Sequence, residues 1–179
     1  MSHPHRHIQL KKMHGFTLLE MVVVILALSI MAGLTAPLFS QGLTATRTTA
    51  DNLQTIEKLR FAAERLAREI RQVNHNGTSY DISSMTTTTL SFNSVINTGN
   101  TVTISYSGSS VSMSYSTPSL AGALTDEVSG FSFAYYDAAG VTTVSTTDVA
   151  FVEFTLTLQN PISGGNFTQR TRVALRDQS

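Results

Sequence analysis

The chain has no cysteine and no tryptophan in 179 residues, and only 13% of its residues are charged. The lack of cysteine excludes disulfide bonds and cysteine metal ligands, so thiols give no information about the redox compartment. Twelve basic residues balance twelve acidic ones, and no cluster of basic residues of the kind that binds nucleic acid occurs. We therefore expect no nucleic acid among the partners. The length predicts one globular domain with an additional segment.

Residues suited to catalysis are equally scarce. Beyond residue 15 the only histidine is His75, within the sequence NHNG at residues 74–77 that is typical of the end of a helix. A Ser/His/Asp triad would have to use this histidine. The acidic residues are dispersed, and no EF-hand, zinc or phosphate-loop pattern occurs. We expect no enzymatic activity, no cofactor and no metal site; calcium at Asp126 and Glu127 is the alternative left open.

A long apolar run dominates the N-terminal part. Between residues 16 and 39 the only charged residue is Glu20. As a helix this run is about 36 Å long, which is enough to cross a hydrocarbon core of about 30 Å. Arg6, Lys11 and Lys12 precede it, so the positive-inside rule places the N-terminus in the cytoplasm and the rest of the chain outside. The sequence thus predicts a single-pass transmembrane helix at residues 16–39.

The acidic residue within this run needs an explanation. A carboxylate at the centre of a bilayer costs roughly 2.5 to 3.5 kcal/mol on insertion scales, so Glu20 indicates a function. A cleaved secretory signal is the alternative interpretation of the run. Its best cleavage site, LTA at residues 34–36, is followed directly by Pro37, and Glu20 interrupts the apolar segment. Both features favour a helix that is retained.

Two residues near the end of the run disturb the regular helix. Pro37 lacks the N–H that would bond to the carbonyl of Gly33, and its ring clashes with that turn. We predict a helix kink at Gly33 and Pro37. A simple kink tolerated in a membrane and a functional hinge are both compatible with these two residues.

After the run, apolar residues recur every three or four positions, which predicts an amphipathic continuation of the helix over residues 40–75. The predicted buried stripe comprises Leu53, Ile56, Leu59, Ala63, Leu66, Ile70 and Val73. Beyond this helix the pattern changes to an alternation of period two, which is typical of strands. We expect a β-rich head at residues 76–179, against which the stripe packs.

The head contains several predicted strands. Residues 101–106 and 111–115 alternate on either side of the sequence SGS, which indicates a hairpin. Further strands are predicted at residues 90–92, 131–136, 149–158 and 167–175. In the predicted antiparallel meander one face is shared by Val152, Phe154, Leu156 and Leu158. The many Ser and Thr residues at positions 78–119 suit exposed strand faces and carbohydrate binding alike.

The sequence GFTLLE at residues 15–20, followed by an apolar helix, resembles the processing site of type IV prepilins and type II secretion pseudopilins. The resemblance implies a pilin-like α+β fold, in which a long N-terminal helix, membrane-spanning in its first half, packs on an antiparallel β-sheet head. It implies that a prepilin peptidase removes residues 1–15 as a leader peptide, cutting between Gly15 and Phe16, and then methylates the Phe16 amine. His14 departs from the family, which usually has Lys or Arg there.

Glu20 corresponds, in this resemblance, to the glutamate that acts in assembly. Its carboxylate lies four residues from the new N-terminal ammonium and can pair with the amine of a neighbouring subunit, which offsets the burial of both charges. The implied partners are other pilin subunits, the prepilin peptidase and the inner-membrane assembly platform. The implied location is the inner membrane with a periplasmic head, followed by assembly into a cell-surface pilus.

Three segments are similar to the larger minor pilins of the PilW and MSHA-pilus (MshO-like) type: residues 65–71, 124–137 and 173–176. Major pilins typically close a C-terminal loop with a cysteine pair, so a chain without cysteine fits a minor subunit. The implied function is that of a structural minor pilin in the assembly and adhesion of a type IV pilus. A type II secretion pseudopilin and a membrane-tethered adhesin or glycan-binding module are the alternatives.

Overall fold

The computed structural model describes residues 16–96 and 99–176, and it begins with one long helix. Helix α1 runs over Leu18–Ile70. Thr17 caps its start, because its Oγ1 accepts the backbone N–H of Glu20 at 3.3 Å. Threonine three residues before glutamate is the sequence pattern of a capping box. The helix continues through Gly33 and Pro37, so the kink at these residues stays a prediction.

The chain divides into two compact units between Thr46 and Arg47. In the first unit, all described side chains are exposed, including the apolar ones. Among the described residues, α1 is the one helix that is long and apolar enough to cross a membrane. None of its most apolar segment is buried. The apolar surface of this unit therefore has no cover within the described chain.

The second unit begins with the C-terminal part of α1, and this part supplies one wall of the hydrophobic core. Leu59, Ala63, Leu66 and Ile70 are buried, as the periodicity predicts. The prediction is wrong for Leu53 and Ile56, which are 56% and 41% exposed. The first buried helical residue is Thr55, so the apolar stripe extends further along the helix than the core that covers it.

The helix ends at Ile70, earlier than the predicted boundary at residue 75. The N–H groups of Gln72 and Val73 bond to carbonyls three residues back, at 2.9 and 3.3 Å, which tightens the last turn. Val73 then forms a β-bridge with Ser94, and His75 forms one with Tyr80. Pairing with the neighbouring strands replaces further helical hydrogen bonds, and this tertiary contact was not visible in the helical periodicity.

Within the described residues eight antiparallel strands follow, in two sheets, and together with α1 they confirm the pilin-like α+β fold. The first sheet has the order β1-β2-β3-β4-β5, formed by β1 (Ile82–Met85), β2 (Thr89–Asn93), β3 (Thr101–Ser107), β4 (Ser110–Tyr115) and β5 (Leu120–Thr125). The second has the order β6-β7-β8, formed by β6 (Val128–Tyr136), β7 (Phe151–Gln159) and β8 (Asn166–Ala174). The predicted hairpin between β3 and β4 is confirmed.

The predicted single meander is divided between β5 and β6, where the chain leaves one sheet and enters the other. Only Asp126 and Glu127 connect these two strands. Glu127 has a φ of 61°, in the left-handed region that side chains other than glycine rarely adopt. This conformation and the lack of pairing between β5 and β6 produce two sheets instead of one.

The inner faces of both sheets and the buried face of α1 form one hydrophobic cluster. The predicted face of β7 is confirmed, because Val152, Phe154, Leu156 and Leu158 are fully buried. The sheets also meet through Tyr135, whose hydroxyl donates to the carbonyl of Thr86 at 2.6 Å. Burial raises the pKa of the Tyr135 hydroxyl well above its usual range, so the group donates this hydrogen bond at any ordinary pH.

Packing of α1 on the sheets predicts a large loss of stability for Ile70→Asp. Ile70 is fully buried, so an aspartate there would be buried without a partner, at a cost of at least about 3 kcal/mol. Residues 47–179 should be a soluble fragment that unfolds cooperatively, and denaturant melts of this fragment measure the effect. Phe61→Asp is the matched control, because Phe61 lies on the same helix and is 65% exposed. A disordered fragment, or equal unfolding midpoints for the two variants, would contradict this packing.

Candidate functional site

The start of α1 is the region that the sequence analysis associates with processing and assembly. Phe16 precedes the helix, and Glu20 lies in its first turn. The partial positive charge at a helix N-terminus favours a carboxylate in this turn. Both side chains are exposed, so both are free to contact another molecule. Gly15 lies outside the described residues, and the predicted cleavage bond and methylation site stay predictions.

The exposed surface that follows is strongly apolar. Leu18, Leu19 and Phe39 are 83%, 73% and 73% exposed. Two hydroxyl groups within the run are satisfied by the helix itself: the hydroxyl of Ser29 donates to the carbonyl of Ile25 at 2.7 Å, and Thr35 bonds to carbonyls one turn back. Such internal bonds remove the cost of placing hydroxyls in a solvent without hydrogen bonds. This surface therefore suits lipid or the apolar helices of other subunits.

Lys58 connects α1 to the crossing between the two sheets. Its Nζ lies 3.1 Å from Glu127 Oε2 and 3.4 Å from Asp126 Oδ1. The hydrogen bond to Glu127, together with the nearby charge of Asp126, raises the pKa of the Lys58 ammonium above its usual range. The two carboxylates considered for calcium are thus paired with an ammonium group. Among the described residues, no group of three or more His, Cys, Asp or Glu side chains could hold a metal ion.

A second ion pair joins the last turns of α1 to the first sheet. Glu69 is buried, and its carboxylate lies 2.9 Å from a terminal nitrogen of Arg65. The same nitrogen of Arg65 donates to the hydroxyl of Tyr115 in β4 at 2.9 Å. This hydrogen bond raises the pKa of the Arg65 guanidinium. The arrangement satisfies a buried charge and positions α1 against the sheet, which is a structural role.

The outer face of the second sheet carries a third cluster, centred on Glu153. Arg170 and Arg172 donate from Nε to its two carboxylate oxygens at 2.6 and 3.0 Å, and the Tyr136 hydroxyl lies 3.2 Å away. The guanidinium of Arg172 also lies 4.0 Å from the centre of the Tyr136 ring. Burial alone would raise the pKa of Glu153, but the hydrogen bonds from the two arginines outweigh it and hold this pKa below its usual range. The carboxylate is therefore ionised and fully bonded.

The sequence analysis missed all three charged clusters, although one had a detectable signal. Glu153 lies between the apolar residues Val152 and Phe154 in the sequence of β7. Because successive side chains of a strand point to opposite faces, it lies on the outer face of the sheet. The register of β7 with β8 then sets Glu153 opposite Arg172. Lys58 and Glu127 are far apart in sequence and belong to different elements, so no local pattern indicates that they meet.

His75 has a structural surrounding. Its ring packs edge-to-face on Tyr80, with 4.9 Å between the ring centres. Its Nδ1 accepts the backbone N–H of Gly77 at 3.2 Å. Gly77 has a φ of 89°, which glycine adopts without strain. The prediction that NHNG ends the helix is wrong, because α1 ends at Ile70 and Gly77 lies in the turn between the bridged residues His75 and Tyr80. The histidine and its neighbours thus form the turn that leads from α1 into the sheets.

Comparison with known families gives one match, to the prokaryotic N-terminal methylation motif at residues 10–36. This segment contains Gly15, Phe16, Glu20 and Gly33. No curated protein sequence matches the chain significantly. The motif shows that the chain is type IV prepilin-like, and the family that it marks is structural and not enzymatic. By family, the motif implies processing by a prepilin peptidase and assembly with pilins. Together with the apolar helix it suggests inner-membrane anchoring before assembly.

Proposed function

We propose that this chain is a minor pilin, a structural subunit of a type IV pilus of the PilW or MSHA (MshO-like) type. The observation that carries the proposal is the described part of the first unit: an apolar helix whose side chains are all exposed and whose only acid up to Phe39 is Glu20, in the first turn. A helix with this surface is stable only when lipid or other apolar helices cover it. The methylation motif, which overlaps the start of this helix, supports a filament subunit.

Processing prepares the helix for this role. Residues 1–15 act as the leader, and the peptidase cuts between Gly15 and Phe16 and methylates the new amine. The charged N-terminus of one subunit then pairs with Glu20 of its neighbour, which offsets the cost of placing both charges in an apolar filament core. A turn at Gly33 and Pro37 that unwinds would let the helix adjust during assembly.

The proposed location follows from the charge distribution along the chain. Residues 16–39 anchor the subunit in the inner membrane with the N-terminus in the cytoplasm. Residues 40–75 continue the helix, and residues 76–179 form the greater part of a periplasmic head that reaches the cell surface in the pilus. The absence of cysteine supports a minor subunit, because the major pilins that the chain resembles typically close a loop with a cysteine pair.

Covalent cross-linking in native membranes tests this function. A tagged full-length chain, cross-linked and purified, should bring down other pilin subunits and components of the pilus assembly platform. The matched control replaces residues 16–46 with an unrelated single-pass helix and should lose these partners. Components of a type II secretion system in place of pilus components would identify a pseudopilin. Recovery of neither class would refute the filament proposal.

A membrane-tethered glycan-binding module is the second candidate, and one observation favours it. The outer face of the first sheet carries hydroxyl groups that face each other across strands, such as Ser105 and Ser112 at 2.9 Å and the close pair Ser91 and Thr103. An uncharged surface rich in hydroxyl groups suits neutral sugars. Glycan binding by the full chain, without pilin partners, would favour this candidate; binding together with those partners would indicate an adhesive pilin.

A further inference from the structure

Strand β5 forms one end of the first sheet, and its outer edge is open. It pairs with β4 on one side only, and no other strand in the described ranges pairs with it. Residues 120–123 are all exposed. The unpaired N–H and C=O groups along such an edge are a template for one more strand.

This edge lacks the charged side chains that usually prevent edge-to-edge pairing. No charged residue occurs between Asp81 and Asp126, so the whole first sheet is free of charge. Edges are normally protected by lysine, by proline or by bulges. The one bulge in β5 lies at its end, where Leu124 falls between the partners of Val111 and Ser112, and it leaves residues 120–123 regular.

The sequence of the edge is the same in both directions: LAGAL at residues 120–124. When two antiparallel copies are aligned at Gly122, Leu120 lies opposite Leu124 and Ala121 lies opposite Ala123. Leucine thus meets leucine, and alanine meets alanine. Contacts of this reciprocal kind are those of a twofold interface between identical chains.

The central glycine has no explanation within a single chain. Gly122 does not have a positive φ, and a Cβ added to it would have no neighbour within 4 Å. Glycine inside a strand costs about 0.5–1 kcal/mol relative to alanine. It often marks a position where another backbone approaches closely. At the centre of a symmetric pair, Gly122 would lie next to its own copy.

A groove beside β5 gives the leucines of a partner a place to bind. It has a volume of about 290 Å³ and lies between the strand and α1. Its lining includes Arg65 of α1, Met113 of β4, Leu120 and Leu124. Leu120 is 59% exposed, so pairing with Leu124 of a second copy would remove apolar surface from water at the groove.

We propose that β5 pairs antiparallel with β5 of a second copy of this chain, centred on Gly122, so that the two first sheets become one continuous sheet. The occupant is a second copy because the edge is self-complementary in side chains and carries no charge. The contact is made by the heads and does not require the first turn of α1 or processing at Gly15. If the chain failed to enter a pilus, the proposed pairing of the β5 strands would therefore be unaffected.

The chain contains no cysteine, so a single introduced cysteine reports this pairing without background. Opposed Cα atoms in an antiparallel pair lie about 4.5–5.5 Å apart, within the range of about 4.4–6.8 Å that a disulfide needs. The full-length Gly122→Cys chain, in detergent or in native membranes under a mild oxidant, should form disulfide-linked dimers. The matched control is Val144→Cys, because Val144 is 94% exposed and lies outside β5.

The register provides a further test. Leu120→Cys alone should not form dimers, because its two copies would lie roughly 13 Å apart along the paired strands. A mixture of Leu120→Cys and Leu124→Cys chains should cross-link. We expect Gly122→Cys to form dimers at least about tenfold faster than Val144→Cys or Leu120→Cys. Equal rates at positions 122 and 144 would indicate random collision and refute the proposal, as would a rate at position 120 equal to that at 122.

Charge provides a test that does not depend on one position. Lysines at both Ala121 and Ala123, added to Gly122→Cys, should prevent cross-linking because like charges would lie opposite each other. Glutamates at the same two positions should have the same effect. Mixing the lysine and glutamate chains should restore dimers, specifically between the two forms. If mixing restores nothing while both variants keep the circular dichroism spectrum of the parent, the symmetric pairing is wrong.

Discussion

In a host with a prepilin peptidase, Gly15→Val should leave the full-length chain uncut in the membrane, whereas the wild-type chain should begin at Phe16. The proposed cut lies directly after Gly15, within the segment that matches the methylation motif. Glycine lets the backbone approach another molecule closely, and valine adds a branched side chain that restricts it. We expect the variant to lose processing almost completely. The mass and N-terminal sequence of the membrane-bound chain measure this directly.

A glycine within α1 provides the control for this substitution. Gly42→Val adds the same side chain where a Cβ would have no neighbour within 4 Å, and it lies far from the proposed cut. This variant should be processed like the wild type. A wild-type chain that still begins at Met1, or that begins after Ala36, would refute the cleavage site. Normal processing of Gly15→Val would refute the requirement for glycine.

The hairpin strands β3 and β4 were predicted from their strict alternation. In β3 and β4, buried residues alternate with half-buried ones, and the short turn between the strands sets their register. The face of β7 was predicted for the same reason. Where apolar residues alternate with polar ones over several positions, one face of the strand must meet the core. The local sequence is then sufficient to predict the strand and its buried face.

The elements that the sequence analysis missed have no such period. Strand β5 reads LAGALT, with small residues on both faces, and four of its six positions are exposed. Strand β1 has only four residues. Both are strands because a neighbour binds their backbone; β5 pairs with β4 from Leu120 to Thr125, with a bulge at Leu124. Pairing of this kind depends on the position of other strands, which no short window of sequence contains.

The candidate sites also divide into those that a local segment of sequence predicts and those that depend on the folded structure. The processing site and Glu20 lie within one contiguous segment, so the resemblance of that segment to prepilins was sufficient to predict them. The partners of Glu153 come from different strands, and Lys58 meets Glu127 across an interval of 69 residues. These contacts required the register of β7 with β8 and the packing of α1, which are properties of the folded chain.

Membrane insertion and filament assembly should respond differently to the removal of Glu20. Glu20→Val deletes a carboxylate that costs roughly 2.5 to 3.5 kcal/mol at the centre of a bilayer, so insertion should be unchanged or easier. Cleavage after Gly15 should persist, because the substitution lies beyond the proposed cut. The processed chain should therefore accumulate in the membrane, and its abundance there provides the reference for assembly.

Assembly of the Glu20→Val chain should fall by at least about a hundredfold. The Phe16 ammonium would enter the apolar core of the filament without its partner. Leaving one member of a buried ion pair without the other costs about 3 to 5 kcal/mol. Glu20→Asp is the conservative control: it retains the charge with a shorter reach, and its incorporation should be intermediate. The measurement is the amount of subunit in sheared surface filaments or cross-linked oligomers, divided by the processed membrane pool. Equal incorporation of Glu20→Val and wild type would refute the pairing role and leave the cleavage site unaffected.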